Sequence, residues 1–93
     1  MQNRNDELQN LRSQIDQIHM DLGRLFQQRL QLNLQIWKIK NTNELPLIDS
    51  KRENELIHQF DHFAKNENET IALQNFFKVV LSESKSFTVK ELK

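Results

Sequence analysis

Between residues 8 and 39, Leu8, Leu11, Ile15, Ile18, Leu22, Leu25, Leu32, Ile36 and Ile39 recur in steps of three and four. The one interruption, between Leu25 and Leu32, falls on Arg29. This period predicts one helix from about Asp6 to Asn41, with Asp6 and Glu7 in its first turn and Lys38 and Lys40 in its last, as the helix dipole favours. At 1.5 Å per residue it is a rod of roughly 50 Å. The other half of a 93-residue chain cannot cover such a rod in a compact monomer, so self-association is expected.

One glycine, one proline and no tyrosine point to an all-α chain. Gly23 interrupts the rod at a cost of about 1 kcal/mol relative to alanine, which predicts a close helix crossing there. "NTNELP" reads as a loop, because Pro46 disfavours helix at Leu45. A second helix starts near "DSKRE", capped by Asp49 or by a Ser50–Glu53 box, and carries Leu56, Ile57, Phe60 and Phe63 on one face before ending around "KNENE". Thr70 is the expected cap of a third helix, whose stripe holds Leu73, Phe76, Phe77, Val80, Leu81 and Ser84. From about Phe87 the pattern sets no end. One domain over residues 1–93 accommodates all of this.

Charge and composition narrow the function. Thirteen basic residues balance thirteen acidic ones, so no electrostatic case exists for nucleic acid. There is no cysteine for a disulfide or thiolate site, and no apolar run approaches the roughly 20 residues that span a bilayer. The start "MQNRNDELQN" lacks the apolar stretch of a secretion signal, so the expected compartment is cytoplasmic. His58 and His62, an i, i+4 pair, lack an evident third ligand, and a plain helix face is the expectation there; His19 stands apart. No metal or other cofactor is expected.

Arg29 is the unusual residue. An unpaired guanidinium is too costly to bury in a seam, so it needs a carboxylate partner, an anionic ligand or a route to water. Arg29, Asn33, Ile36 and Lys40 are spaced to share one face, which makes a cationic pocket wall. Arg52 and Glu53 follow a short loop and are close enough in sequence to close over its Lys40 end.

The pieces "LRSQID" at 11–16, "QQR" ending in Arg29, "KIK" ending in Lys40, "LPLIDSKRE" at 45–53 and "SES" at 82–84 together resemble the all-helical, three-helix chorismate mutases. The joint spacing of Arg12, Arg29, Lys40, Asp49, Arg52 and Glu53 carries the resemblance, which covers residues from about 8 to 86. It implies an intertwined helical homodimer of one long and two shorter helices per chain, with two shared sites for a small dicarboxylate. It further implies that Arg12 of the other subunit joins Arg29, Arg52 and Lys40 around the ligand, with Arg12 and Arg29 on carboxylates and Lys40 on the ether oxygen. Glu53 would receive the ring hydroxyl, Asp49 would contribute at that end, and Ile36, Ser84 and Thr88 would complete the binding residues.

Three positions depart from the family pattern. Thr88 stands where the family usually has Gln or Glu aimed at the ether oxygen, Lys85 replaces a usually apolar pocket residue, and His19 stands where aspartate is common. The implied reaction is rearrangement of chorismate to prephenate, in aromatic amino-acid biosynthesis. The alternatives are isochorismate pyruvate lyase, which resembles the mutases in the same residues, and a non-catalytic helical dimer serving as pseudoenzyme or adaptor.

Overall fold

The computed structural model describes residues 4–42 and 50–92, and their elements are three α-helices and one 3-10 turn. Helix α1 spans Arg4–Thr42, helix α2 spans Ser50–Gln59 and runs directly into a 3-10 turn over Phe60–Phe63, and helix α3 spans Glu67–Glu91. Asn41 and Thr42 of the predicted "NTNELP" loop belong to α1, and the rest of that loop, with the alternative cap Asp49, lies outside the described residues. At 39 residues, α1 sets the 64 Å long axis of the molecule. It starts two residues before the expected Asp6, with Asp6 and Glu7 in its first turn and Lys40 in its last.

The start of α3 corrects the expected cap. Asn66, in extended backbone conformation, accepts a bond from the Glu69 amide at 2.9 Å. Glu69 returns the favour: its carboxylate accepts from the Lys65 amide at 3.1 Å and from the Asn66 side chain at 3.3 Å. Thr70 lies inside the first turn, its hydroxyl donating to the Asn66 carbonyl. An Asn followed by Glu three residues on is a capping box, and its earlier start wins because it satisfies more of the orphan N–H groups. At the other end α3 continues through Phe87 to Glu91. Helix α2 ends earlier than expected, since the chain tightens into the 3-10 turn and leaves it at Ala64 with extended dihedrals.

Helix α3 is the hub. It packs against α1, α2 and the 3-10 turn, while α1 and α2 make no close backbone approach among the described residues. Phe77 on α3 is the one buried hydrophobic residue described; the Phe60 ring lies 4.7 Å from its centroid. Other apolar side chains, among them Phe26, Leu30, Trp37, Leu56, Phe60 and Leu81, are partly buried, and much of the remainder faces outward. Leu8, Leu11, Ile15, Ile18, Leu22, Leu25, Leu32, Ile36 and Ile39 are each between 42 and 58% exposed. Nothing lies within 4 Å of where a Cβ would stand on Gly23, so the expected crossing at that residue is not made within the chain.

Candidate active site

The question posed by Arg29 is resolved by a second face on α1. In the C-terminal half of that helix Phe26, Arg29, Leu30, Asn33, Trp37 and Lys40 are partly buried, whereas Leu25, Leu32, Ile36 and Ile39 are exposed. Arg29 lies at the border of the two stripes and turns toward α3. Its Nη1 donates to Ser84 Oγ at 2.7 Å, and its guanidinium carbon lies 5.7 Å from the centroid of the Phe77 ring.

One turn further along both helices the contact repeats with different chemistry. Asn33 Nδ2 donates to Thr88 Oγ1 at 3.0 Å. Each α3 hydroxyl also donates to its own helix, Ser84 to the Val80 carbonyl at 2.7 Å and Thr88 to the Ser84 carbonyl at 2.8 Å. This use of the hydroxyl proton leaves the oxygen lone pairs for α1, so the back-bonds orient Ser84 and Thr88 as acceptors. Both residues are buried, and no buried side-chain polar atom among the described residues lacks a partner.

Between α1 and α2, with α3 as its floor, lies a half-open cleft of about 460 Å³. Arg29, Asn33, Ile36 and Lys40 form the α1 wall, as the spacing required, and Arg52 and Glu53 face it from the first turns of α2. Leu32, Trp37, Leu56, Phe60, Phe77 and Leu81 supply apolar lining. Ser84 and Lys85 complete it from α3. Four cations and one carboxylate thus line the cleft, a balance that suits an anion carrying more than one charge. Burial lowers the Arg29 pKa from its ordinary value and the nearby Glu53 carboxylate opposes that shift. The guanidinium nonetheless remains a cation at any physiological pH.

Lys85 is held here as well: its Nζ lies 2.9 Å from Glu53 Oε1 and 3.2 Å from Oε2, straddling the carboxylate. The sequence marked Lys85 as a departure but gave no sign of this partner, because α2 and α3 carry no pattern that fixes their mutual register. Residues 11–89 match the chorismate mutase type II family. The chain belongs to that family. A comparison with curated proteins returns no match.

Against the family's expected site, the single chain assembles Arg29, Ile36, Lys40, Arg52, Glu53 and Ser84 around one cleft. Arg12 is exposed, on the N-terminal half of α1, and does not line it. Asp49 falls outside the described residues. Thr88 is fully buried in the α1–α3 contact, with donor and acceptor both engaged, and does not line the cleft. The Asn33–Thr88 pair was not foreseen as a unit; a polar residue on each helix, four residues beyond Arg29 and Ser84, was the available signal. Outside the cleft, His58 lies 3.7 Å from Asp61 on an exposed face. Among the described residues no three His, Cys, Asp or Glu side chains gather as a metal site would require. No described helix is long and apolar enough to cross a membrane.

Proposed function

We propose that the chain catalyses the intramolecular rearrangement of chorismate to prephenate, as a homodimer with two shared sites. The observation that carries this is Arg29, a cation drawn partly out of water at the edge of an apolar seam and aimed into a cleft with three further cations. Family membership supplies the substrate class, a dicarboxylate. The reaction is concerted within one molecule and needs no protein nucleophile. What the side chains contribute is restraint of the reactive conformer and stabilisation of negative charge that grows on the ether oxygen as its bond to the ring breaks.

The resemblance supplies the roles, and the donor chemistry of each side chain supports them. Arg29 binds a carboxylate through its planar fork, Ser84 fixing the guanidinium from below by accepting one of its N–H bonds. Lys40 donates to the ether oxygen as a compact point charge, Arg52 adds a second cation at that end, and Glu53 accepts from the ring hydroxyl. Ile36, with Trp37 and Leu81, excludes water around the reacting bonds. Arg12 comes from the second copy. It is 17 residues from Arg29, about 25 Å along the rod, so one chain cannot bring both to one small molecule, whereas an antiparallel partner can. Leu8, Leu11, Ile15, Ile18, Leu22 and Leu25, all exposed on α1, are the apolar surface that partner covers.

One specific observation favours a second reading. With Thr88 buried and fully bonded, the chain has no long amide or carboxyl side chain at that position to meet the ether oxygen, as a non-catalytic dimer or a lyase of the same fold would tolerate. Incubating the purified chain with chorismate and, separately, with isochorismate distinguishes the three. Prephenate from chorismate is the expected result. Pyruvate release from isochorismate assigns the lyase instead, and loss of neither compound leaves a non-catalytic dimer.

A further inference from the structure

Lys85, paired with Glu53, is the cleft cation to which the proposed chemistry gives no role. The pair's side chains are 37 and 26% exposed, so as an ion pair joining α2 to α3 it contributes little to stability. Its value lies in what remains unfilled. An ammonium has three N–H donors, and two are directed at the two carboxylate oxygens at 2.9 and 3.2 Å. One donor is left. The carboxylate offers about four lone-pair sites, so it retains acceptor capacity as well. Both side chains line the cleft, facing the same space as Arg29, Lys40 and Arg52.

A ligand group beside this pair meets a donor and an acceptor together. An ether or carbonyl oxygen satisfies Lys85 alone, a C–H satisfies neither, and a carboxylate is opposed by Glu53. A hydroxyl fits both, donating its proton to Glu53 and accepting from Lys85. We propose that Lys85 is a specificity-determining residue: paired with Glu53, it selects ligands that carry a hydroxyl at this end of the cleft, with carboxylates held by the other cations. This deepens the proposed mutase reading and rests on the cleft being its ligand site. Lys85 gives the acceptor Glu53 a fixed orientation and adds a second bond to the same hydroxyl.

The test uses prephenate, which keeps the two carboxylates and the ring hydroxyl but does not rearrange further, and its analogue with hydrogen in place of that hydroxyl. Affinities of both for the full chain and for Lys85→Met and Lys85→Arg are measured by calorimetry, with circular dichroism as the check on folding. The full chain is expected to bind prephenate at least about tenfold more tightly than the analogue. Lys85→Met should shrink that ratio to about threefold or less by weakening prephenate binding alone, and Lys85→Arg should restore most of it. Should Lys85→Met unfold, Lys85→Leu, which likewise has no donor, takes its place with the same expected result. A ratio unchanged in the variant, including one in which both affinities fall together, overturns the assignment and makes Lys85 a structural strut. A chain whose preference for prephenate shrinks in Lys85→Met yet which does not consume chorismate sinks the mutase reading and leaves Lys85 in its role. Binding of neither compound overturns both.

Discussion

Replacing Arg29 with leucine separates the cost of a half-buried cation from its use. Three losses and two gains decide the stability of Arg29→Leu. The bond to Ser84 Oγ, charge-assisted at 2.7 Å, is worth about 1.5–3 kcal/mol, and the contact with the Phe77 ring about 0.5–1 kcal/mol. The buried Ser84 oxygen then keeps its bond to the Val80 carbonyl but loses its donor, at a cost of about 1 kcal/mol. Against this, leucine adds about 1–2 kcal/mol of apolar burial, and the desolvation penalty that lowers the Arg29 pKa is removed. The numbered terms leave a deficit of about 1–4 kcal/mol, which relief of desolvation offsets in part, so the expected change in unfolding free energy is a loss of no more than about 2 kcal/mol. Because a base with a depressed folded-state pKa gains stability only as pH climbs through that value toward the unfolded one, the penalty is constant across the accessible range. Buffer pH will not relieve it; only substitution will. Urea unfolding at fixed protein concentration reads the stability, and chorismate consumption reads the activity, which should fall by about a thousandfold or more. The double variant Arg29→Leu/Ser84→Ala should recover about 1 kcal/mol over the single one, because no acceptor is left orphaned. Destabilisation by more than about 2 kcal/mol that Ser84→Ala does not relieve would refute the reasoning and make Arg29 a structural strut.

Mixing Arg12→Ala and Arg29→Ala chains, each inactive alone, should recover about a quarter of the unmutated rate, since half of randomly paired dimers are mixed and half their sites are whole; no recovery in demonstrably mixed dimers means that each pocket is built from one chain. Thr88→Gln should cost about 1–3 kcal/mol in unfolding experiments without raising turnover, because the longer side chain must enter a fully buried site and break the bond from Asn33; a faster enzyme would show that this part of α3 can turn toward the cleft. Gly23→Ala should raise the helical signal of the chain yet weaken its self-association by sedimentation, since no described residue packs on this glycine and a close approach by a second copy would use it; an unweakened dimer would leave the glycine a plain defect.

The sequence made α1 legible because nine apolar residues repeat the same local period, and no tertiary contact was needed to read it. The cationic wall was legible for the same reason, Arg29, Asn33, Ile36 and Lys40 being neighbours on one helix. What periodicity merged was the two stripes of α1. Arg29 read as an intruder in one seam because the second stripe, Phe26, Leu30, Asn33 and Trp37, is mixed in character and shows itself only when α3 lies against it. The cap of α3 was misread although its signal was present: Asn66 and Glu69 have capping-box spacing, but the polar run around them contains several equivalent starts. Lys85 and Glu53 could not be paired in advance, since their meeting depends on how far α2 is rotated over α3. That rotation is set by the Phe60 and Phe77 rings, which are far apart in sequence.

The paired bonds from α1 to α3 act as a vernier. Both rungs are spaced by one helical turn, and the upper and lower acceptors, Ser84 and Thr88, are both hydroxyls, so sliding α3 by one turn, about 6 Å, brings an acceptor back into line. The donors are what forbid it. In one direction Asn33 would meet Ser84 while Arg29 faced Val80, an apolar residue that offers a guanidinium no acceptor side chain; in the other, Arg29 would meet Thr88 and lose its place over Phe77. A scale with two identical marks has two readings, and one with unlike marks has one. The same arginine that is proposed to bind the ligand therefore also tells the helices where to stop, and any variant that replaces Arg29 and Asn33 by like residues should be examined for a shifted third helix before its kinetics are interpreted.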